Sequence, residues 1–561
     1  MNQISVLGAM AYQFKTYGIK TVYGLPSDDL LFMKSILNHG IEYFIVKDQR
    51  NALFMATGHA LATQELAVCN IGKGPALTNS ITGILEAKSQ CAPLIIIASG
   101  TDTVKYGSEK SFQETTQLNI VNPLVKWSHR LENKESIGWV LKKAIFIATN
   151  GTPGPVYIEI PENLGEETVV KREFFAGAYT STKPVPNPDM IEDLRTKIQH
   201  SKRPVILLGG GCKAIEDKNL IIQFAEKIGA PIFVSASGRG SVNEHHPLFC
   251  GLGGLYCPEN MKALVQNCDL FIALGSALEE TVVFGWEEVL ERIETIEINI
   301  NEECFNLDMN SLKIVGEAGL TVKELLKRFK EPIQRDFWKE KVQEYKSSMW
   351  LEKEKTTRNS NLLKVADILE TIQDSSTSSI FVHENGLQDM WSYFYPYLML
   401  KEEQDAIVPS EQTSLGFGCS AAIGVAKARP DDTVIAFVGD GAFNMFSAEL
   451  VTLVSKKIPV IYIVLRNGGY GWLEYQNNSD QQSFVDKTMP LVTINHEQLC
   501  HLRIAEKIEL QKSWSEALQL HSLGKTVIFE VDIELDDVPS ALTKIYGDFP
   551  ERSTSISSVD K

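Results

Sequence analysis

Cysteine is scarce in this chain of 561 residues: nine, at Cys69, Cys91, Cys212, Cys250, Cys257, Cys268, Cys304, Cys419 and Cys500. The number is odd and no two stand in C-x-x-C spacing, which argues against a disulfide framework or a zinc site and for reduced thiols in a cytoplasmic protein. Long apolar runs are missing. A membrane span needs about 18 such residues, and the longest here, PLIIIASG and PVIYIVL, are strand-sized. No basic region opens the chain; MNQISVLGAMAYQFKTYG breaks up its apolar residues as a helix does, so no signal peptide is expected. Positive charge is in deficit, with Lys+Arg 54 against Asp+Glu 71 and a net charge of −17. That balance disfavours nucleic acid and anionic membrane as partners. An anionic ligand must then be held by local chemistry, backbone N–H groups or a metal. Low-complexity tracts and short repeats are absent too.

What remains is ordinary globular material, 44% hydrophobic and 22% charged. At roughly 100–200 residues per domain it fills about three domains. Short β-branched runs alternate with helical patterns: KTVYGLP, LAVCNIG, PLIIIASG, GPVYIEIP, RPVILLGGG, APIFVSAS, DLFIALGS, TVIAFVGDG, PVIYIVLRN and TVIFEVDI. Continuous apolar strands ending in Gly, Pro or Asn are those of parallel sheets buried on both faces, so the expected class is α/β with repeated βα units in doubly wound sheets. A Pro/Ser/Thr-rich stretch (176–190) reads as a linker, and a highly charged one (329–361) as a connecting helix with a solvated face. They divide the chain into 1–178, 188–332 and 360–545, with a polar tail at 546–561.

The strongest constellation lies in the third part. TVIAFVGDGAFNMFSAELVTLVSKKIPVIYIVLRNGGYG (433–471) reads as strand, Gly-Asp-Gly turn, helix, strand, and a turn carrying Asn467. Asp440 and Asn467 each end a strand, and the carboxyl ends of adjacent parallel strands meet at one edge, where ligands bind. Two hard oxygen side chains suit Mg²⁺ or Ca²⁺ and not a soft metal, and such a site keeps coordination positions for phosphate oxygens. Gly441 and Ala442 lead into a helix whose first N–H groups favour anions. Together these parts make a metal–diphosphate site.

This spacing resembles the thiamine diphosphate (ThDP) signature. The resemblance spans the whole chain, as pyrimidine-binding, central and diphosphate-binding domains, and is closest to the acetolactate synthase, pyruvate oxidase and glyoxylate carboligase branch. It implies metal ligation by Asp440, Asn467 and the Gly469 carbonyl, with Tyr470 and Gly471 completing the turn. Arg466 stands where the family has a first Asn. ENGLQDMW (384–391) resembles the diphosphate-contacting loop and implicates Asn385, Gly386, Leu387 and Gln388. TSLGFGCSAAIG (413–424) resembles the segment holding the aminopyrimidine. There the Thr413 carbonyl would accept from the 4′-amino group, and Leu415 would prop the cofactor in its bent form.

In the first part, YGLPSDDLL and GKGPALTNSITG resemble the family's pyrimidine-side turns, implying Pro26, Pro75 and Asn79 near the cofactor of a partner subunit. GSEKSFQETTQLNIVNPLVKWS resembles an acetolactate synthase segment with Phe-Gln and Lys at the substrate pocket, which map to Phe112, Gln113 and Lys126. One carboxylate is missing. In VKDQRNALFMATGHAL, Gln49 falls where the family has the glutamate that hydrogen-bonds N1′ and assists removal of the C2 proton. A Gln can make that bond but cannot exchange a proton. Three readings stand: an active enzyme with slow proton removal, Asp48 as the acid after a one-residue shift, or a ThDP-binding chain without the ordinary chemistry. In the central part, Gly209-Gly-Gly211-Cys-Lys-Ala214 fits a dinucleotide turn, but the next strand, PIFVSAS, ends without the confirming acidic residue. FAD is therefore not favoured, although acetolactate synthases carry it there. The expectation is a ThDP- and Mg²⁺-dependent carboligase acting on a pyruvate-like 2-oxo acid and a carbonyl acceptor, as a homodimer or homotetramer. Decarboxylation without ligation is the alternative.

Overall fold

The computed structural model describes residues 3–27, 30–171, 182–358, 363–373, 378–477, 483–486, 488 and 490–549. Part of the 176–190 linker and most of the polar tail lie outside these. Three six-stranded sheets dominate, and every strand pair within them is parallel. The first runs, in spatial order, Glu42–Ile45, Thr21–Gly24, Ala67–Ile71, Leu94–Gly100, Pro155–Pro161, Trp127–Arg130. The second runs Phe249–Leu252, Ile232–Val234, Pro204–Leu208, Leu270–Leu274, Glu294–Asn299, Leu312–Val315. The third runs Asp405–Ile407, Ser379–His383, Thr433–Gly439, Ile461–Arg466, Thr526–Asp532, Leu499–Ile504.

All ten apolar runs named from the sequence are strands of these sheets. The other eight are mostly edge or near-edge strands, short or mixed in polarity, such as WSHR and LCHLRI. The charged connecting segment forms the helix Asp336–Arg358. It is anchored on the second sheet's unit: Trp338, Val342 and Met349 are buried, and the Trp338 indole donates to the Pro204 carbonyl at 3.0 Å.

The first and third sheets share a core. One hydrophobic cluster contains Phe54, Met55 and Ala56 together with Phe417, Ala421 and Ile423. Its centre is the contact between the helices Gln49–Thr63 and Phe417–Ala428. They approach backbone to backbone: a Cβ on Gly424 would lie 1.9 Å from the Met55 carbonyl oxygen, and one on Gly58 2.5 Å from that of Ala421. The helix that starts at Gln49 is thus seated on the helix that starts just after Leu415.

Candidate cofactor site

In the third sheet, the strands Ser379–His383 and Thr433–Gly439 are neighbours, but the chain leaves them in opposite directions, to Asp405–Ile407 on one side and Ile461–Arg466 on the other. A crevice opens at the carboxyl ends of such a strand pair. The residues at that edge are 384–389 and 439–442, with Asn467 ending the adjacent strand.

Asp440 begins the helix Asp440–Phe446, where the sequence pattern had it end the strand; the strand ends at Gly439. Its Oδ2 accepts from the Gly468 N–H at 2.8 Å, while its buried Oδ1 has no hydrogen-bond partner. Burial pushes this carboxyl up to about 6, against the lowering effect of the Gly468 and Gly441 N–H groups and Arg466. The Asn467 Oδ1 accepts from the Gly469 N–H at 2.9 Å, and its Nδ2 donates to the Gln388 Oε1 at 2.7 Å. Gly469 has φ 146°, and Gly471 is packed so closely that a Cβ would sit 2.6 Å from the Asn467 Nδ2. Tyr470 lays its ring edge over Gly441, and Ala442 is buried. Arg466 pairs with Glu530 at 2.8 Å, in a network that includes Asp532, His501 and Arg503. An unpartnered, buried Asp440 oxygen beside the Asn467 carbonyl and the Gly469 backbone is a hard-oxygen donor set, which fits a Mg²⁺ ion.

In the loop 384–391, Glu384 is buried and accepts from the N–H groups of Asn385, Gly416 and Cys419 at 3.1, 3.1 and 3.2 Å. It ties this loop to the start of the helix Phe417–Ala428, and burial pushes it up to about 7. Gln388 is bridged at both ends, from Asn467 and to the Leu535 carbonyl at 3.1 Å. Leu387 is buried; Asn385 and Gly386 are half-buried at the rim. Thr413 is exposed with φ 45°, and Leu415 is half-buried against the shared core.

The first sheet has its own reversal point, between Thr21–Gly24 and Ala67–Ile71. The loops after these strands carry Pro26 and Pro75, and they touch: a Cβ on Gly72 would come within 2.9 Å of the Ser27 Cβ. Gln113 packs its backbone on Gly74, and Phe112 is exposed with the Lys73 ammonium 5.9 Å from its ring centre. Asn79 donates to the Gln49 Oε1 at 2.8 Å and to the Asp48 Oδ2 at 3.3 Å. So Pro26, Pro75, Asn79, Gln49, Phe112 and Gln113 gather at one sheet edge.

Two of the expected site residues make other contacts. Asp48 is the N-cap of the helix Gln49–Thr63, its Oδ1 accepting from the Arg50 N–H at 2.8 Å and the Asn51 N–H at 3.4 Å. A carboxylate committed to a helix start is a poor candidate for a displaced proton-transfer group. Lys126 donates to the carbonyls of Ile147, Asn150 and Thr152 at 2.5, 2.8 and 2.6 Å. It closes the end of the helix Ile137–Thr149, where its ammonium is engaged. A third residue escaped the sequence reading altogether. Glu449, fully buried, accepts from the Lys47 N–H at 2.9 Å and the Asn51 Nδ2 at 3.2 Å, pinning the strand end before Gln49 to the third domain. Nothing in its local sequence signals this, because its partners lie about 400 residues away.

In the second sheet, the glycine turn at 209–211 is occupied by its own neighbours. Gly209 and Gly211 donate to the carbonyls of Leu274 and Gly275 at 2.8 and 3.0 Å. A Cβ on Gly209 would lie 2.2 Å from the Gly275 oxygen. Close packing accounts for these glycines.

Three family models match the chain in order: thiamine pyrophosphate enzyme, N-terminal TPP binding domain, residues 4–120; central domain, 191–325; and C-terminal TPP binding domain, 385–521. The chain belongs to the thiamine pyrophosphate enzyme family. Among its relatives is the acetolactate synthase large subunit of Haemophilus influenzae, 26% identical over 559 residues, covering 96% of this chain and 95% of that one. That of Cyanidium caldarium is 27% identical over 488 residues, covering 84% and 81%. A solved structure, the Rhodococcus jostii RHA1 thiamine diphosphate-dependent 4-hydroxybenzoylformate decarboxylase, superposes with a TM-score of 0.78 at 20% identity, covering 95% of this chain and 100% of that one. The likeness to the acetolactate synthase branch seen in the motifs and the three-domain α/β fold therefore both hold. Among the described residues no helix is long and apolar enough to cross a membrane.

Proposed function

We propose that this ThDP enzyme is a Mg²⁺-dependent carboligase that decarboxylates a pyruvate-like 2-oxo acid and joins the remaining fragment to a carbonyl acceptor. The observation that supports the reading most is the unpartnered Asp440 Oδ1 at the third sheet's reversal point, in a chain that matches acetolactate synthase large subunits along most of its length. Bound ThDP supplies the electron sink that lets carboxylate leave as CO₂. The chain's residues do the rest. Asp440, Asn467 and the Gly469 carbonyl hold the metal, and Leu415 and the Thr413 carbonyl orient the aminopyrimidine. Gln49, already aligned by Asn79, hydrogen-bonds N1′ without exchanging a proton with it.

Gln49, Asn79, Phe112 and Gln113 lie on an exposed or half-buried edge of the first domain. In a homodimer this edge faces the partner's third domain, and each site takes its pyrimidine side from one subunit and its metal side from the other. Higher assembly to a tetramer is compatible with this.

A second reading, decarboxylation without ligation, is favoured by Lys126. One of the three residues that pointed to a carboligase pocket is committed to a helix end. A panel of 2-oxo acids, with and without aldehyde or keto-acid acceptors, read by CO₂ release and mass spectrometry, separates the two. A carbon–carbon coupled product supports ligation; CO₂ with only the aldehyde supports the second reading; release of neither contradicts both.

A further inference from the structure

A 2-oxo acid brings a carboxylate, which a charged donor holds best. Lys126, the cation expected at the substrate pocket, is engaged by three carbonyls at the end of the helix Ile137–Thr149. Arg50, beside Gln49, faces its own helix start, its Nε 3.9 Å from the Asp48 Oδ1. Lys73 is placed differently. It lies in the turn between the strand Ala67–Ile71 and the helix Pro75–Ser89, two residues before Pro75.

That turn is held in place. The N–H of Gly74, a residue with φ 58°, donates to the Gln117 Oε1 at 2.9 Å. Gln117 is itself buried, and its Nε2 donates to the Ser99 carbonyl at 3.0 Å. The Lys73 carbonyl accepts from the Ala76 N–H at 3.3 Å. From this fixed base the ammonium reaches to 5.9 Å from the ring centre of Phe112, and that ring is exposed. Lys73 bonds the Glu162 Oε1 at 2.5 Å. Glu162 takes one of the three ammonium N–H groups; among the described residues the other two have no partner. The Glu162 side chain is 43% exposed, so water screens its charge. A cation with unspent donors beside an open apolar ring matches the two ends of a short 2-oxo acid, a carboxylate and an alkyl group.

We infer that Lys73 is a specificity-determining residue of the proposed reaction, its ammonium taking the carboxylate of a 2-oxo acid whose alkyl end lies toward Phe112. The inference rests on the carboligase reading above. The same chemistry serves a 2-oxo acid that loses its carboxylate and one that accepts the new carbon–carbon bond. An ion pair favours the carboxylate over the CO₂ it becomes, so Lys73 acts in binding and does not assist the decarboxylation step.

The test uses the full chain with ThDP and Mg²⁺. Lys73→Gln keeps a donor but loses the charge. It should raise the KM for pyruvate by about tenfold or more and leave kcat within about threefold, while Lys73→Arg should keep KM within about threefold of wild type. A rise seen in CO₂ release from pyruvate alone assigns the carboxylate to the donor. A rise confined to coupling with a second 2-oxo acid assigns it to the acceptor. The KM for a neutral aldehyde acceptor should not move; an equal rise there, or no rise for any 2-oxo acid, would overturn the inference. Oxamate, a pyruvate isostere whose amide carbonyl resists attack, gives a readout apart from turnover. Saturation-transfer NMR should show oxamate contact in wild type and Lys73→Arg and lose it in Lys73→Gln; equal contact in all three would overturn the inference. Contact that depends on Lys73, in an enzyme yielding neither CO₂ nor coupled product, would overturn the carboligase reading and leave the carboxylate site standing. Wild type with neither contact nor turnover would overturn both.

Discussion

In the proposed function, Gln49 is the residue on which the chemistry turns. Its side-chain oxygen takes the Asn79 N–H, and its neighbour Asp48 is committed to capping the helix. Restoring the acid at constant volume, Gln49→Glu, should accelerate deuterium exchange at C2 of bound ThDP by about 10²–10⁴-fold, the usual worth of general acid–base assistance. Acid-quenched NMR reads the rate. Asp48→Asn should change it little, since an Asn still caps; a collapse of exchange in Asp48→Asn, with none gained in Gln49→Glu, would reinstate Asp48 as the acid. A second residue-scale expectation concerns His59. It is bonded to the Tyr23 hydroxyl at 2.8 Å, and burial, aided by Lys427 and Lys20, pushes it down to about 4. Its folded value lies below the unfolded value of about 6.5, so the unfolded chain binds the proton first as pH falls. Its contribution is intact above about 6.5 and is lost progressively down to about 4. In His59→Gln, the dependence of unfolding free energy on pH across that window should be shallower than in wild type; an identical slope would contradict the assignment. The placement of Asp440 and Asn467 at adjoining strand ends was legible in the sequence because it follows from the apolar runs and their spacing. The contacts of Glu449 and Lys126 were not, because each depends on partners that only the tertiary fold supplies.

At the scale of elements, the contact between the helices Gln49–Thr63 and Phe417–Ala428 matters most. It seats the helix bearing Gln49 on the helix that Leu415 precedes, and Glu449 adds a buried hydrogen-bonded tie at the same end. The close approach leaves no room for a methyl group at Gly424. Gly424→Ala should therefore force the helices apart and cost about 1–3 kcal/mol, as overpacking of a tight interior does. Thermal unfolding monitored by circular dichroism checks this; an unchanged melting temperature would mean the two helices are not held this closely. The apolar central strands were readable from their continuous β-branched runs. Edge strands such as Trp127–Arg130 were harder, because a strand with one exposed side carries a mixed pattern that a loop or helix can share. The glycine turn at 209–211 shows the converse. Its pattern fits a dinucleotide motif, yet glycine spacing alone cannot distinguish a ligand's approach from that of a neighbouring turn, and here Gly275 makes the approach.

For the whole molecule, the proposed dimer would join two half-sites, one at the reversal point of the first sheet and one at that of the third. Chains carrying Gln49→Ala and chains carrying Asp440→Ala should each be inactive alone, and mixing them after subunit exchange should restore part of the activity, since some sites then pair two intact halves. No recovery on mixing, with exchange verified by light scattering of differently tagged chains, would contradict shared sites. The central claim is that Asp440, through its free Oδ1, holds the metal that anchors the cofactor's diphosphate. Calorimetric titration of ThDP with Mg²⁺ into wild type and Asp440→Ala tests it most directly. Without the metal, only the helix start at 440–446 would face the diphosphate, a contribution of about 0.3–2 kcal/mol. The account predicts Mg²⁺-dependent binding to wild type and a loss of more than about 100-fold in the variant. An affinity in Asp440→Ala within about twofold of wild type would contradict it.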